Sequence, residues 1–144
     1  MRAVLHRVSR ARVRCGAREA AIGPGLLVLV GLETTDTEAT CAWAAAKLAT
    51  LRIFEDGDGR LTLGLPDVGG EILAISQFTL AGHLAKGRGP SFEGAMAPEA
   101  ARLLFGRLLE LLKAQYPRVQ SGFFQEHMEV ELVNDGPVTF ILEC

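Results

Sequence analysis

Val133-Asn134-Asp135-Gly136-Pro137-Val138-Thr139-Phe140, "VNDGPVTF", lies between two runs, 127–133 and 137–143, that read as β-strands. Asn, Asp and Gly all tolerate the positive φ of a tight turn, so the stretch reads as a hairpin closing the chain. Pro137 does not fit that reading easily. Proline has no N–H to give to a ladder, and it restricts the residue before it. A free hairpin needs no rigid Gly-Pro pair. From these residues alone a trans Gly-Pro in a surface turn is the commoner outcome, because only about 5–6% of X–Pro bonds in folded proteins are cis.

Working outward from this stretch, the rest of the 144-residue chain supplies strands and two helices. Residues 2–13, "RAVLHRVSRARV", mix β-branched and polar positions as a strand does. Gly23-Pro24-Gly25 marks a turn, and "LLVLVGL" after it is a buried strand. Thr34 to Thr37 offers N-caps for the Ala-rich helix in "EATCAWAAAKLATLRIF", which runs into a short strand at residues 52–54. "EDGDG" is a turn. The spaced acids and closing Glu of a calcium loop are missing from it. "RLTLGL" and "GGEILAISQFTL" read as strands, and residues 81–96 as a Gly-rich loop. Pro98 and Glu99 then open a second helix, whose Leu104, Leu108, Leu111 and Leu112 share one face. Helices set among many strands, without regular alternation, predict an α+β domain spanning 1–144 with mostly antiparallel pairing.

Composition narrows the function. Hydrophobic residues make up 49% of the chain, enough for a substantial core. A net charge of −2 argues against non-specific coating of nucleic acid, yet allows a grip on a few phosphates. Arg2, Arg7, Arg10, Arg12, Arg14 and Arg18 crowd the first eighteen residues with no acid among them. Cys15, Cys41 and Cys144 are odd in number and widely spaced, which predicts reduced thiols in a cytoplasmic protein. Charged residues interrupt every apolar run near the N-terminus, so neither a signal peptide nor a membrane span is expected.

The common catalytic signatures are missing. His6, His83 and His127 are not at metal-ligand spacing, and neither a nucleophile elbow nor a Walker motif occurs. No metal and no cofactor is expected. Ser76-Gln77-Phe78-Thr79-Leu80 places two hydroxyls at the end of an apolar strand, but a hydroxyl nucleophile needs a base that the sequence does not supply. Lys86 and Arg88 sit in the Gly-rich loop. On composition they suit a phosphate contact and a plain solvated loop about equally.

"SQFTL" at 76–80 and "NDGPVTF" at 134–140, in that order, resemble the D-aminoacyl-tRNA deacylases. His6-Arg7-Val8, "GLLVLVG", "LRIFEDGDG", Pro90-Ser91-Phe92 and "SGFFQEHMEVELV" extend the resemblance over nearly the whole chain. Two positions depart from it. Thr62-Leu63-Gly64 stands where members often have Asn-Leu-Asn, and Gly89 precedes Pro90 where members often have Arg, with Arg88 one place earlier.

The resemblance implies a barrel-like mixed sheet with two main helices, and a homodimer with its active sites at the interface. It implies that Gly136-Pro137 is cis and reaches into the partner's pocket, where its carbonyls reject an L-side chain. A cis X–Pro bond costs only ~0.5–1 kcal/mol. Glycine has no side chain to reject, so some cleavage of glycyl-tRNA is expected. Arg7 would hold the Gly-Pro loop through backbone carbonyls. Backbone N–H groups of Phe78 and Thr79 would receive the oxyanion, with Ser76, Gln77 and Thr79 orienting groups beside it. Lys86, Arg88, Ser91 and Phe92 would touch the 3′ acceptor end of the tRNA. Two other functions stay open at this point. One is hydrolysis of small esters with Thr79 as nucleophile, and the other is a tRNA-binding module without catalysis.

Overall fold

The computed structural model describes residues 1–85 and 87–144. Its strands are β1 (Arg2–Cys15), β2 (Arg18–Ile22), β3 (Gly25–Gly31), β4 (Arg52–Glu55), β5 (Leu61–Gly64), β6 (Glu71–Ser76), β7 (Val119–Ser121) and β8 (Glu129–Glu143). Its helices are α1 (Glu38–Thr50), α2 (Leu65–Val68) and α3 (Pro98–Gln115), and a 3-10 turn covers Phe78–Ala81. The main sheet runs β2-β1-β3-β6-β7, with β8 on the free edge of β1. The α+β class, the mixed and nearly closed sheet and the two main helices agree with the sequence reading. Among the described residues, no helix is long and apolar enough to cross a membrane.

Alternation along the strands separates two cores. Ala3 and Leu5 of β1, Val28 and Val30 of β3, and Ile72 and Ala74 of β6 face the helices. Val8, Ala11, Val13, Leu27, Leu73 and Ile75 fill the other face. This is the period of two expected of strands buried on both sides. On the helix side, Cys41, Ala44, Ala45 and Leu48 of α1 meet Ala101, Phe105, Leu108 and Leu112 of α3. Small residues on α1 let the two helices lie close to the sheet. Burial in apolar surroundings pushes the Cys41 thiol up to about 11, so this cysteine is a core residue rather than a nucleophile.

Three expectations are corrected. The two C-terminal runs are not a hairpin but one strand, β8, antiparallel to β1 along almost its full length. His6 pairs with Thr139 and Val8 with Asn134, so Asp135, Gly136, Pro137 and Val138 stand opposite Arg7 alone. The turn chemistry is real, but it makes an excursion from a strand instead of a reversal. Second, β6 ends at Ser76, and the rest of "SQFTL" leaves the sheet as the 3-10 turn. Leu65, read as the end of a strand, instead begins α2, which contains Pro66 and is closed by Gly69 at φ 60. Third, β3, β6 and β7 pair in parallel, because α1 and α3 serve as crossovers.

The acidic turn between β4 and β5 uses its own carboxylate. Asp56 accepts the N–H groups of Asp58 (2.9 Å) and Arg60 (3.0 Å) and the hydroxyl of Thr62 (2.8 Å). The backbone donor of Arg60, then Thr62, hold this carboxyl below its usual range. A depressed folded value means that the stabilisation is present above the unfolded pKa and is lost as pH falls through the folded one. Asp56→Asn is therefore expected to flatten the loss of stability on acidification below about pH 4. Chemical denaturation at pH 7 and at pH 3 checks this: the variant should lie closer to the parent at the lower pH.

Candidate active site

Two groups of residues stand out. The first lies at the C-terminal ends of β3 and β6. Ser76 pairs with Val30, and the N–H of Gln77 donates to the carbonyl of Val30 (2.7 Å). The chain then turns into the 3-10 segment, where Leu80 N–H donates to Gln77 (3.1 Å) and Gly82 N–H to Thr79 (3.0 Å). The first N–H groups of a helical turn have no partner within it. Those of Phe78 and Thr79 have none among the described residues. Gly31 permits this turn to sit close: a Cβ there would lie 2.8 Å from Leu80 Cβ and 3.0 Å from the Gln77 carbonyl.

Ser76, Gln77 and Phe78 line a cleft of about 720 Å³ that also takes in Phe92, Phe124 and Met128. The Phe78 and Phe92 rings stand 5.1 Å apart. Aromatic faces and thioethers suit a flat base better than a small polar ester. Thr79 lies outside this lining, and its hydroxyl is held by the Gln77 side-chain amide. No base touches Thr79 Oγ1 among the described residues.

The second group is built on the excursion of β8. Arg7 is buried, at 5% exposure, and each of its three guanidinium nitrogens donates a hydrogen bond. Nε donates to the Asp135 carbonyl (2.9 Å), Nη1 to the Ile53 carbonyl (3.0 Å) and Nη2 to Glu55 Oε1 (2.9 Å). Gly136 follows Asp135 at φ 134, and the Gly136–Pro137 peptide is cis. Asn134 closes the neck of the excursion: its Oδ1 accepts the Val138 N–H (2.7 Å), and its Nδ2 donates to Thr139 Oγ1 (2.8 Å). The same Nδ2 lies 3.2 Å from His6 Nδ1, which makes that nitrogen an acceptor. Burial holds the His6 ring below its ordinary range, in keeping with a neutral imidazole.

The sequence-derived residues thus fall into separate places. Ser76, Gln77, Phe78 and Phe92 meet in the cleft. Gly136, Pro137 and Arg7 lie elsewhere on the sheet. Arg88 and Ser91 are exposed in the 81–96 loop, where Ser91 and His83 exchange backbone hydrogen bonds. Lys86 lies outside the described residues. Sequence reasoning missed Glu55 and Asn134, and it took His6 for an ordinary strand residue. The pairing of β1 with β8 brings His6 and Asn134 together, across most of the chain's length.

Residues 4–143 match the family described as D-Tyr-tRNA(Tyr) deacylase. A D-aminoacyl-tRNA deacylase of Carboxydothermus hydrogenoformans is 53% identical, over 99% of each chain. One from Geobacter sulfurreducens is 52% identical, over 99% of this chain and 95% of its own. Among solved structures, the c-Myc DNA Unwinding Element Binding Protein superposes with a TM-score of 0.93 at 39% identity, covering 100% of this chain and 99% of its own. A probable eukaryotic D-amino acid tRNA deacylase reaches 0.88 at 17% identity, over 98% and 97%, a likeness of fold alone.

Proposed function

The chain belongs to the D-aminoacyl-tRNA deacylase family, hydrolases acting on aminoacyl-tRNA, and on that premise we propose that its active site is completed by a second copy of itself. One observation carries this reading. Arg2, at one end of β1, pairs with Gly31 and donates to the Leu80 carbonyl (3.2 Å) of the 3-10 turn. The Gly136–Pro137 excursion stands opposite Arg7. Arg2 and Arg7 lie five residue steps apart along β1, roughly 17 Å. One chain therefore offers N–H donors without partners among the described residues in one place, and a backbone projection in another. The outer edge of β8 favours the same conclusion. It has no strand partner beyond β1 among the described residues, and it presents Leu132, Val133, Phe140 and Ile141 at 38–68% exposure. Such an edge invites association.

In the composite site the 3′-terminal nucleotide lies in the aromatic cleft, and the ester carbonyl faces the N–H groups of Phe78 and Thr79. Water attacks the carbonyl carbon, and negative charge collects on the oxygen held by those donors. The bond to the ribose 3′ oxygen then breaks. That oxygen takes a proton, and a D-amino acid and free tRNA depart. With no base beside Thr79 among the described residues, the ribose 2′-hydroxyl orients or activates the water, and the protein supplies position and electrostatics. The Gly136 and Pro137 carbonyls face the α-amino group and the Cα–H. A D-side chain points to solvent, whereas an L-side chain strikes the carbonyls, so rejection does not depend on what the side chain is. Glycyl-tRNA escapes the filter. Arg88, Ser91 and Phe92 flank the acceptor end, and the enzyme works in the cytoplasm, where charged tRNA is used.

Hydrolysis of D-tyrosyl-, L-tyrosyl- and glycyl-tRNA, with a small D-amino-acid ester as fourth substrate, tests this function. The expected result is rapid cleavage of the D-form, partial cleavage of the glycyl form, and little action on the L-form or the free ester. Rapid cleavage of the free ester would favour a small-ester hydrolase, and tRNA binding without cleavage would favour a binding module. Thr79→Ala is expected to keep kcat within about tenfold of the parent, because an orienting hydroxyl contributes about 1 kcal/mol. Loss of turnover to background would instead make Thr79 the nucleophile.

A further inference from the structure

The wall of the cleft formed by residues 124–128 carries an unfavourable backbone. Gln125 sits at φ 61, the one non-glycine residue with positive φ among those described. A residue with a side chain does not rest there without support. The start of the segment is tightly packed: a Cβ on Gly122 would lie 3.1 Å from Met128 Sδ and 3.2 Å from Ile75 Cγ1. Beyond it, successive rings part to the two sides of the sheet. Phe123 joins the core of Val13, Ile22 and Leu73, and Phe124 joins the helix-side core.

An arginine meets the segment from each side. Arg18 of β2 stacks over Phe123, 4.6 Å from its centroid, and its Nη2 lies 2.7 Å from Glu126 Oε1. That pairing, helped by the Cys15 thiol, holds the Glu126 carboxyl below its usual range. Arg102 of α3 stacks over Phe124 at 4.8 Å, and its Nη2 donates to Gln125 Oε1 (3.1 Å). Each exposed contact is weak alone. Together they fix four consecutive residues, three of which line the cleft. Neither arginine lines it.

We propose that Arg18 and Arg102 are positioning residues that hold the 123–126 segment from both sides and so set the width of the cleft receiving the tRNA 3′ end. This inference rests on the function proposed above. The effect belongs to binding of the terminal nucleotide rather than to the reacting ester, so it falls on KM.

Steady-state kinetics with D-tyrosyl-tRNA, thermal unfolding, and direct binding of uncharged tRNA test the inference together. Arg102→Ala is expected to raise KM about tenfold with kcat within about twofold, and Arg18→Ala to act in the same direction. Arg102→Lys keeps a cation over the ring and should fall between Arg102→Ala and the parent. Gln125→Gly is the decisive variant. Glycine accepts the positive φ, so Tm should hold or rise, yet KM should still climb about fivefold because the tether to Arg102 is gone. An unchanged KM in Gln125→Gly, or losses in the arginine variants that merely follow Tm, would overturn the proposal. Should the parent bind tRNA without hydrolysing D-tyrosyl-tRNA, the proposed function fails instead. Weaker tRNA binding by Gln125→Gly would then still support the clamp, and unchanged binding would refute it.

Discussion

Arg7→Met is expected to cost about 3–4 kcal/mol of stability and to lower turnover of D-aminoacyl-tRNA by two orders of magnitude or more. Arg7 is 5% exposed, and its guanidinium donates to the Ile53 and Asp135 carbonyls and to Glu55. Methionine fills similar space but donates nothing. Two carbonyl oxygens, Asp135 in the excursion and Ile53 in β4, lose a charged donor, at about 1–3 kcal/mol each. The Glu55 carboxylate matters less, because it is 51% exposed and turns to water. Turnover suffers because the Asp135 carbonyl is where Arg7 fastens the excursion, immediately before Gly136. Lysine carries one ammonium on a flexible stem and cannot span three acceptors in different directions, so Arg7→Lys should restore only part of either quantity. Urea denaturation gives the first quantity and single-turnover deacylation the second. A loss below about 1 kcal/mol with unchanged turnover would show that the excursion keeps its shape without Arg7.

Gly136→Ala is expected to cost turnover far more than it costs stability. At φ 134 a side chain is strained in any surroundings. The added Cβ would lie 2.7 Å from Val138 Cγ2 and 3.0 Å from both Arg7 Nη2 and the Val138 nitrogen. Relief requires displacing the excursion from Arg7 or Arg7 from its three acceptors. A stability loss of about 1–3 kcal/mol follows, which leaves a folded protein. Turnover of D-tyrosyl-tRNA should nevertheless fall at least about a hundredfold, since an ångström of displacement at a reacting centre has that effect. Retained D-turnover in a folded Gly136→Ala variant would remove the excursion from the site.

The candidate site's most unusual backbone can be read in the sequence, because Gly136 and Pro137 sit where few other residue types would: Gly136 at φ 134, Pro137 after a cis peptide. Their places in the fold are harder to read. Asn-Asp-Gly makes the same local turn whether the chain reverses or merely bulges. The choice is made by β1, whose fourteen residues pair with both sides of the excursion. Parallel pairing of β3 with β6 leaves no local trace either, because it depends on where α1 lies. Asn134 reads as one more turn residue until the pairing sets it beside His6. Gln125 offers no signal at all: glutamine in a polar run gives no hint of a positive φ.

Subunit complementation tests the shared site most directly. Phe78→Pro places proline at the first position of the 3-10 turn, where it is tolerated, and removes one of the two N–H donors that lack a partner among the described residues. It is combined with Gly136→Ala on a separate, differently tagged chain, and the mixed dimer is purified through both tags. Each parent dimer should be nearly inactive, with a defect in both of its sites. The mixed dimer should hold one intact site and hydrolyse D-tyrosyl-tRNA at about half the rate of the unaltered protein. A mixed dimer as inactive as its parents, or a chain that stays monomeric at assay concentration, would contradict a site built from two subunits.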